Sequence, residues 1–400
     1  MTTPSWLQEP PSRSFAQALA EEASAQLTKI GFPHSRHEDW RYVDLAPILN
    51  HTFSLAPNAE PEYRGPGVYL VNGQGIHNHD LPKGVRSELG QALSQSEIDP
   101  YLSAGVDSTA FSFINTQRFQ DVAAISIDQN LTAPLNIYLM QLGDDARTMS
   151  HPRLSILVKE GVRAQVQIHH IGQSAAWVNA MTDIQVKENA QLDLSLVSTE
   201  SEAIRTDALH VKLYQGARYQ SHYFDTCTPL RRIDTQVDIL ADQVNCQLFG
   251  LGLLRDQMAL HQRVHIRHEV PGSESSQQFK TILADRSLSE FSGLVSVFQN
   301  AHQTDSTQLN QNLLLSDHAR VISRPQLCID ADDVQCAHGC TIGQFDPESV
   351  FYIVSRGLSE KEAQALLTYG FAEEILMSMT DRQLKESLEG LLQSEINYYV

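Results

Sequence analysis

Between residues 68 and 345 the chain keeps returning to short stretches in which apolar and polar side chains alternate. They run Leu154 to Val158, Ala164 to His169, Thr182 to Val186, Leu192 to Val197, Leu209 to Leu213 and Gln236 to Leu240. Alternation with period two is the mark of a strand, whose successive side chains point to opposite faces. The pieces between are small or polar turns: Glu160-Gly161, Glu188-Asn189-Ala190, Gln215-Gly216-Ala217, Ala241-Asp242 and Ser316-Asp317-His318-Ala319. The first of these recur every 26–28 residues or so, the spacing of one supersecondary unit stacked repeatedly. Short strands joined by tight turns without intervening helices leave a β-sandwich or a β-solenoid, and the long regular period favours the solenoid, specifically a β-helix. A solenoid has open ends whose strand edges are templates for pairing, so an end must be capped or joined to another chain.

The flanks read as helix. Residues 12–31 carry Leu19, Ala23, Leu27 and Ile30 on a helical stripe, stopped by Gly31 and Pro33. A Pro/Gly cluster from Pro61 to Gly67 marks a boundary. After residue 346, Ser359-Glu360-Lys361-Glu362 is a capping box, followed by Ala363, Leu366, Leu367, Phe371 and Ile375 on one face. Thr380-Asp381-Arg382-Gln383 starts a second helix carrying Leu384, Leu388, Leu391 and Leu392. Two short helices bury little alone, so they dock on the β region or on a partner. The expected division is a helical region at 1–67, a β-helix core at 68–345 and a helical region at 346–400.

A formal net charge of -19 argues against a nucleic-acid or anionic-membrane partner, both of which call for Lys and Arg. No run of roughly 18 apolar residues suggests a membrane span. The N-terminal Met1-Thr2-Thr3-Pro4-Ser5-Trp6 lacks the basic and apolar pattern of a signal peptide. With five sparse cysteines, Cys227, Cys246, Cys328, Cys336 and Cys340, no disulfide framework is implied, and a cytoplasmic setting with reduced thiols is expected.

The chemistry-bearing segment is Cys336-Ala337-His338-Gly339-Cys340. Thiolate and imidazole suit iron, zinc or copper. On a strand the three point to one face, yet Cys336 and Cys340 then lie about 13 Å apart at ~3.3 Å per residue. Metal–ligand bonds are about 2.0–2.3 Å long, so one ion cannot take all three. It can use neighbours only with ligands from another strand or another chain. His261 and His265 have the same spacing problem and read as hydrogen-bonded ladder residues; the adjacent His169 and His170 point oppositely. Trp40 reads as a packing anchor, with Glu38 and Arg41 as a local charge pair. No phosphate-binding Gly-x-x-x-x-Gly-Lys loop and no Gly-x-Ser-x-Gly elbow is present.

Two distant segments carry a resemblance. Arg36-His37-Glu38-Asp39-Trp40-Arg41-Tyr42 resembles the N-terminal signature of the SufB/SufD family of iron–sulfur cluster assembly proteins. The C-terminal run is similar to the SufD branch of that family: Gln308-Leu309-Asn310-Gln311-Asn312-Leu313-Leu314-Leu315-Ser316, Arg324-Pro325-Gln326-Leu327, Ala331 through Gly339, and Phe351 through Ser359. The absence of any cysteine before Cys227 also fits that branch. The resemblance implies a mainly β protein, with a right-handed parallel β-helix core flanked by N-terminal and C-terminal α-helical regions. It implies a noncatalytic scaffold in a SufBCD complex, paired with SufB through the β-helix end and with the ATPase SufC through the C-terminal helices. A transient iron–sulfur cluster or iron would be shared with SufB, no nucleotide would be bound by this chain itself, and a homodimer is conceivable when the chain is alone. His338 would face SufB as a candidate cluster ligand, with Cys336 beside it and Cys340 undecided. Arg36, Glu38, Trp40, Arg41 and Tyr42 form the family motif. Arg356, Gly357, Ala363, Leu366, Leu367 and Phe371 fall in the element that would dock SufC. Cys328 stands where the family commonly has Glu, and Cys340 where alanine is frequent. Free Cys is a common core residue, so Cys227, Cys246 and Cys328 read as inert thiols. Two other readings compete: a β-helix enzyme acting on acidic polysaccharide, and a mononuclear metalloenzyme using Cys336 and His338.

Overall fold

The structure is a computed structural model that describes residues 17–94, 98, 109–143, 147–172, 174–226 and 229–399. Two long sheets face each other, and consecutive strands alternate between them. The first ends, in spatial order, with Met181–Val186, Ile204–Leu213, Leu230–Ile239, Ala259–His268, Leu288–Val297 and Arg320–Ile329. The second ends with Gln191–Ser201, Arg218–Asp225, Asn245–Leu254, Glu274–Leu283, Asp305–Leu314 and Gln335–Gly343. All these neighbours are parallel, giving a β-solenoid of about 7 turns. Thr182 aligns with Leu209 and Leu209 with Thr235, steps of 27 and 26 residues. Val264, Gly293 and Pro325 follow at steps of 29, 29 and 32. The repeat therefore lengthens past its expected value, and the added residues sit in corners such as 298–304 and 315–319 rather than in strands.

One corner explains the turn residues. Gly161, Asn189, Gly216, Gln243, Gly272, Gln303 and Asp333 all adopt left-handed φ between 56° and 69°, one per coil. Each corner amide before Asp333 donates to the next coil's carbonyl, as in Gly161 to Glu188 (2.9 Å), Asn189 to Gln215 (2.8 Å) and Gln303 to Asp333 (2.8 Å). Gly and Asn tolerate this conformation most cheaply.

The inward residues stack in columns. Ile156, Ile184, Val211, Val237, Ile266 and Val295 are in register and at most 1% exposed. β-Branched side chains fill such a pleated surface well. One layer of the interior is charged: Arg205 and Arg231 lie against Asp207 at 3.1 and 3.3 Å, and Arg231 also binds Asp225. Burial, with help from Arg205 and Arg231, pulls the nearby His170 far below its ordinary pKa, so it stays neutral there. The two guanidiniums and two carboxylates thus balance.

Helical segments cover the flanks. Gln17–Ile30 buries Ala20, Ala23 and Leu27, but Ile30 is exposed, contrary to the expected stripe. Helix Ala110–Arg118 interrupts the β region and packs against Gln17–Ile30; the absence of helices there was the wrong expectation. Its nine residues are all buried, so no amphipathic signal betrays it. At the other end, Pro347–Val354, Glu360–Met377 and Arg382–Tyr399 follow, the second with the anticipated capping box. Its buried stripe is Ala363, Thr368, Ala372, Ile375 and Leu376, and Leu366 is 53% exposed instead. Ala372, Ile375 and Leu376, with Leu384, Leu388, Leu392 and Ile396, pack on Val197, Phe224, Leu251, Leu253 and Ile282 of the second sheet's outer face. Among the described residues no helix is long and apolar enough to cross a membrane.

Candidate functional site at the solenoid end

The solenoid stops at Arg320–Ile329 in one sheet and Gln335–Gly343 in the other, and each is the outermost strand of its sheet. The register shows where the Cys/His run points. His338 continues the inward column Val166, Leu194, Ser221, Leu248, Gln277 and Gln308. Cys336 continues Tyr219, Cys246, Ser275 and Ser306, and Cys340 continues Tyr223, Gly250, Phe279 and Asn310. All three therefore face the interior of a final coil that no further strand covers among the described residues. His338 and Cys340 are exposed, and Cys336 is half-buried against Val295, Val297 and Ala301. Burial, then the Asp305 carboxylate, push the Cys336 thiol up, so a metal must displace its proton to bind there.

The three share one strand and one face, as the alternation predicted. Among the described residues no group of three or more His, Cys, Asp or Glu is close enough to hold a metal ion. The run is thus a set of soft donors without a closed coordination sphere, able to hold a metal ion only if further ligands arrive from outside. The apolar half of the rim is Leu327, which caps the column ending in Val295, together with Ile329 at 39% and Ile342 at 47% exposure.

Cys328 does not join this group. It is exposed on the outer face, in register with Ser296 and Arg267. Cys246 lies fully buried in the interior, and burial drives its thiol far up. Cys227 lies outside the described residues. His261 is buried and meets Glu290 at 2.7 Å, and His265 meets Ser296 at 2.9 Å, so both are hydrogen-bonded ladder residues as expected.

The N-terminal motif packs on the first sheet's outer face. Trp40 is buried with Phe111 and lies under the Arg232 guanidinium at 3.8 Å. Glu38 does not pair with Arg41; it reaches Arg324 at 3.6 Å, because Arg41 turns instead toward the Tyr42 ring. Arg36 is exposed.

Of the residues expected to dock an ATPase, Ala363 is fully buried, and Phe371 is half-buried beside Lys280. Arg356, Gly357 and Leu366 are exposed, and Leu367 is half-buried. The motif reading missed the larger feature. Helix Pro347–Val354 buries none of its residues, and Phe351 and Tyr352 are 74% and 59% exposed. Phe351 borders a groove of about 890 Å³ together with Val350, Val354 and Tyr399. Its signal was an apolar run, Val350 to Val354, with no polar face. Also missed was the polar floor beneath the Cys/His run: Ser306, Gln308, Asn310 and Asn312 are buried at inward positions, where alternation placed polar residues.

Comparison with known proteins supplies the context. The family described as SUF system FeS cluster assembly, SufBD core domain, matches residues 140–371. The iron–sulfur cluster assembly protein SufD of Escherichia coli is 28% identical, over 92% of this chain and 90% of its own length. A SufBD family protein of Synechocystis is also 28% identical, over 92% of this chain and 88% of its own. A chloroplastic Arabidopsis thaliana protein, ABCI7, is 26% identical over 96% and 87%.

Proposed function

The chain belongs to the SufBD family of iron–sulfur cluster assembly proteins, and from that membership we propose that it is a noncatalytic scaffold subunit of the SUF system. The observation that carries the reading is the uncovered final coil. Its inward face presents Cys336, His338 and Cys340, and both of its strands lack an outer neighbour. A partner solenoid end of the SufB type would cover the apolar rim and pair with the strand edges, as β-augmentation does. It would also supply the ligands this strand lacks. His338 is the first candidate donor, Cys336 the second, and Cys340 sits within the same face. The cluster or iron is cargo shared across the interface. The relatives' names describe assembly proteins, which supports this reading over a polysaccharide-acting enzyme.

The second contact is the exposed helix Pro347–Val354 with Arg356, Gly357 and Leu366, which we assign to the ATPase subunit, SufC. Large exposed aromatic side chains bordering a groove are the usual anchors of such interfaces. Deleting residues 356–400 is a poor test, because it also uncovers the apolar face around Leu251 and Ile282. The paired substitution Phe351→Asp and Leu366→Asp avoids that. Co-expression with SufB and SufC should give one species on size exclusion. The double variant should lose SufC by roughly thirtyfold or more in affinity while keeping SufB. A chain that elutes alone beside both partners would refute the assignment.

A further inference from the structure

Two motifs from opposite ends of the sequence meet at one side chain. Arg324 belongs to the outermost strand of the first sheet, and its guanidinium donates through Nη2 to Glu290 Oε1 at 2.8 Å. Its Nη1 faces Glu38 Oε1 at 3.6 Å, and the Tyr42 ring lies 5.8 Å away. Glu290 is only 2% exposed and is further held by His261 at 2.7 Å. The segment bearing Glu38 is itself anchored. Arg232 donates to the Asp39 carbonyl at 2.6 Å and covers Trp40, and Arg263 faces the Asp39 carboxylate at 3.5 Å.

The grip falls where the terminal strand is weakest. Arg320–Ile329 has a neighbour on one side only. Beside Arg324, Pro325 faces Gly293 across the rung. Proline has no amide to donate to a partner strand, and glycine has no side chain to pack. A one-sided strand with such a rung is prone to open locally. Arg324 bridges the defect with a planar fork whose two terminal nitrogens reach separate carboxylates in fixed geometry, where a lysine offers one flexible point charge.

We propose that Arg324 is a positioning residue for the pairing edge: residues 38–42 and Glu290 grip it from two sides and hold Arg320–Ile329 in the register that a partner solenoid needs. This rests on the pairing reading above and gives the N-terminal motif its purpose. The surface half of the clamp is removed by the double variant Glu38→Gln, Tyr42→Leu, whose residues are both exposed and whose loss spares the core. In hydrogen exchange on the isolated chain, amides of 320–329 should exchange about three- to fivefold faster, the scale of a partly exposed ion pair, while those of 274–283 keep their protection. Arg324→Lys should fall between wild type and Arg324→Gln. Association with SufB should weaken by a similar factor. Unchanged exchange at 320–329 overturns the clamp whether or not a partner binds. Faster exchange with unchanged association overturns its part in pairing. If the unmodified chain binds no partner, the pairing reading fails, and exchange still judges the clamp.

Discussion

Leu327→Asp is expected to leave the isolated chain folded and to weaken its pairing with a partner solenoid by at least about a hundredfold. Leu327 continues the column of Ile156, Ile184, Val211, Val237, Ile266 and Val295. Every member before it is at most 1% exposed, because another coil covers it. Leu327 is only half-buried, because none does. A carboxylate there keeps its water in the free chain and costs the fold little. Covering it strips that water with no cation in the column to compensate, a penalty of several kcal/mol. Gln326→Asp is the control, since Gln326 is exposed and alternates to the outer face. Melting curves check the fold, and titration against the partner reads the pairing. Wild-type affinity in the Leu327 variant would mean that this end is not the interface.

Asp207→Ala should act on the fold itself and lower its stability by about 3–5 kcal/mol. Asp207 receives both Arg205 and Arg231 inside the solenoid, and all three are 7% exposed or less. Without it two buried guanidiniums share the single carboxylate of Asp225. Burial already raises the Asp225 carboxyl, against the pull of Arg231, so it has little capacity to compensate. Water cannot easily reach this closed layer. Denaturant midpoints measured for wild type and variant check the estimate. A loss under about 1 kcal/mol would show that the layer relaxes or hydrates more readily than its packing implies.

Much of the solenoid was legible because its two signals are local. Alternation marks a strand from four or five residues, and a left-handed corner favours Gly or Asn, as at Gly161, Asn189 and Gly216, although Gln243, Gln303 and Asp333 also take it. The same signals cannot tell which face of a strand is inside. Ser306, Gln308 and Asn310 look like an outer face and are the inner one, because the interior turns polar near its open end. Helix Ala110–Arg118 escaped for a related reason: a segment buried all round has no stripe to read. On Glu360–Met377 the buried stripe includes Thr368 and excludes Leu366, so hydrophobicity alone misjudged the face. The Cys336 to Cys340 spacing was enough to show that the donors need outside help. That Glu38 meets Arg324 rather than Arg41 was not accessible, since nothing local links residues so far apart.

His338 is proposed to serve a site completed across the solenoid end. The most direct test is the iron and acid-labile sulfide content of the complex that this chain, carrying His338→Ala, forms with SufB and SufC, with integrity checked by size exclusion. Because His338 is exposed and adds nothing to the core, the complex should assemble normally. Its cluster retention should fall by about tenfold or more, the scale of losing a group that holds or orients a metal. An intact complex with wild-type iron and sulfide would contradict the account.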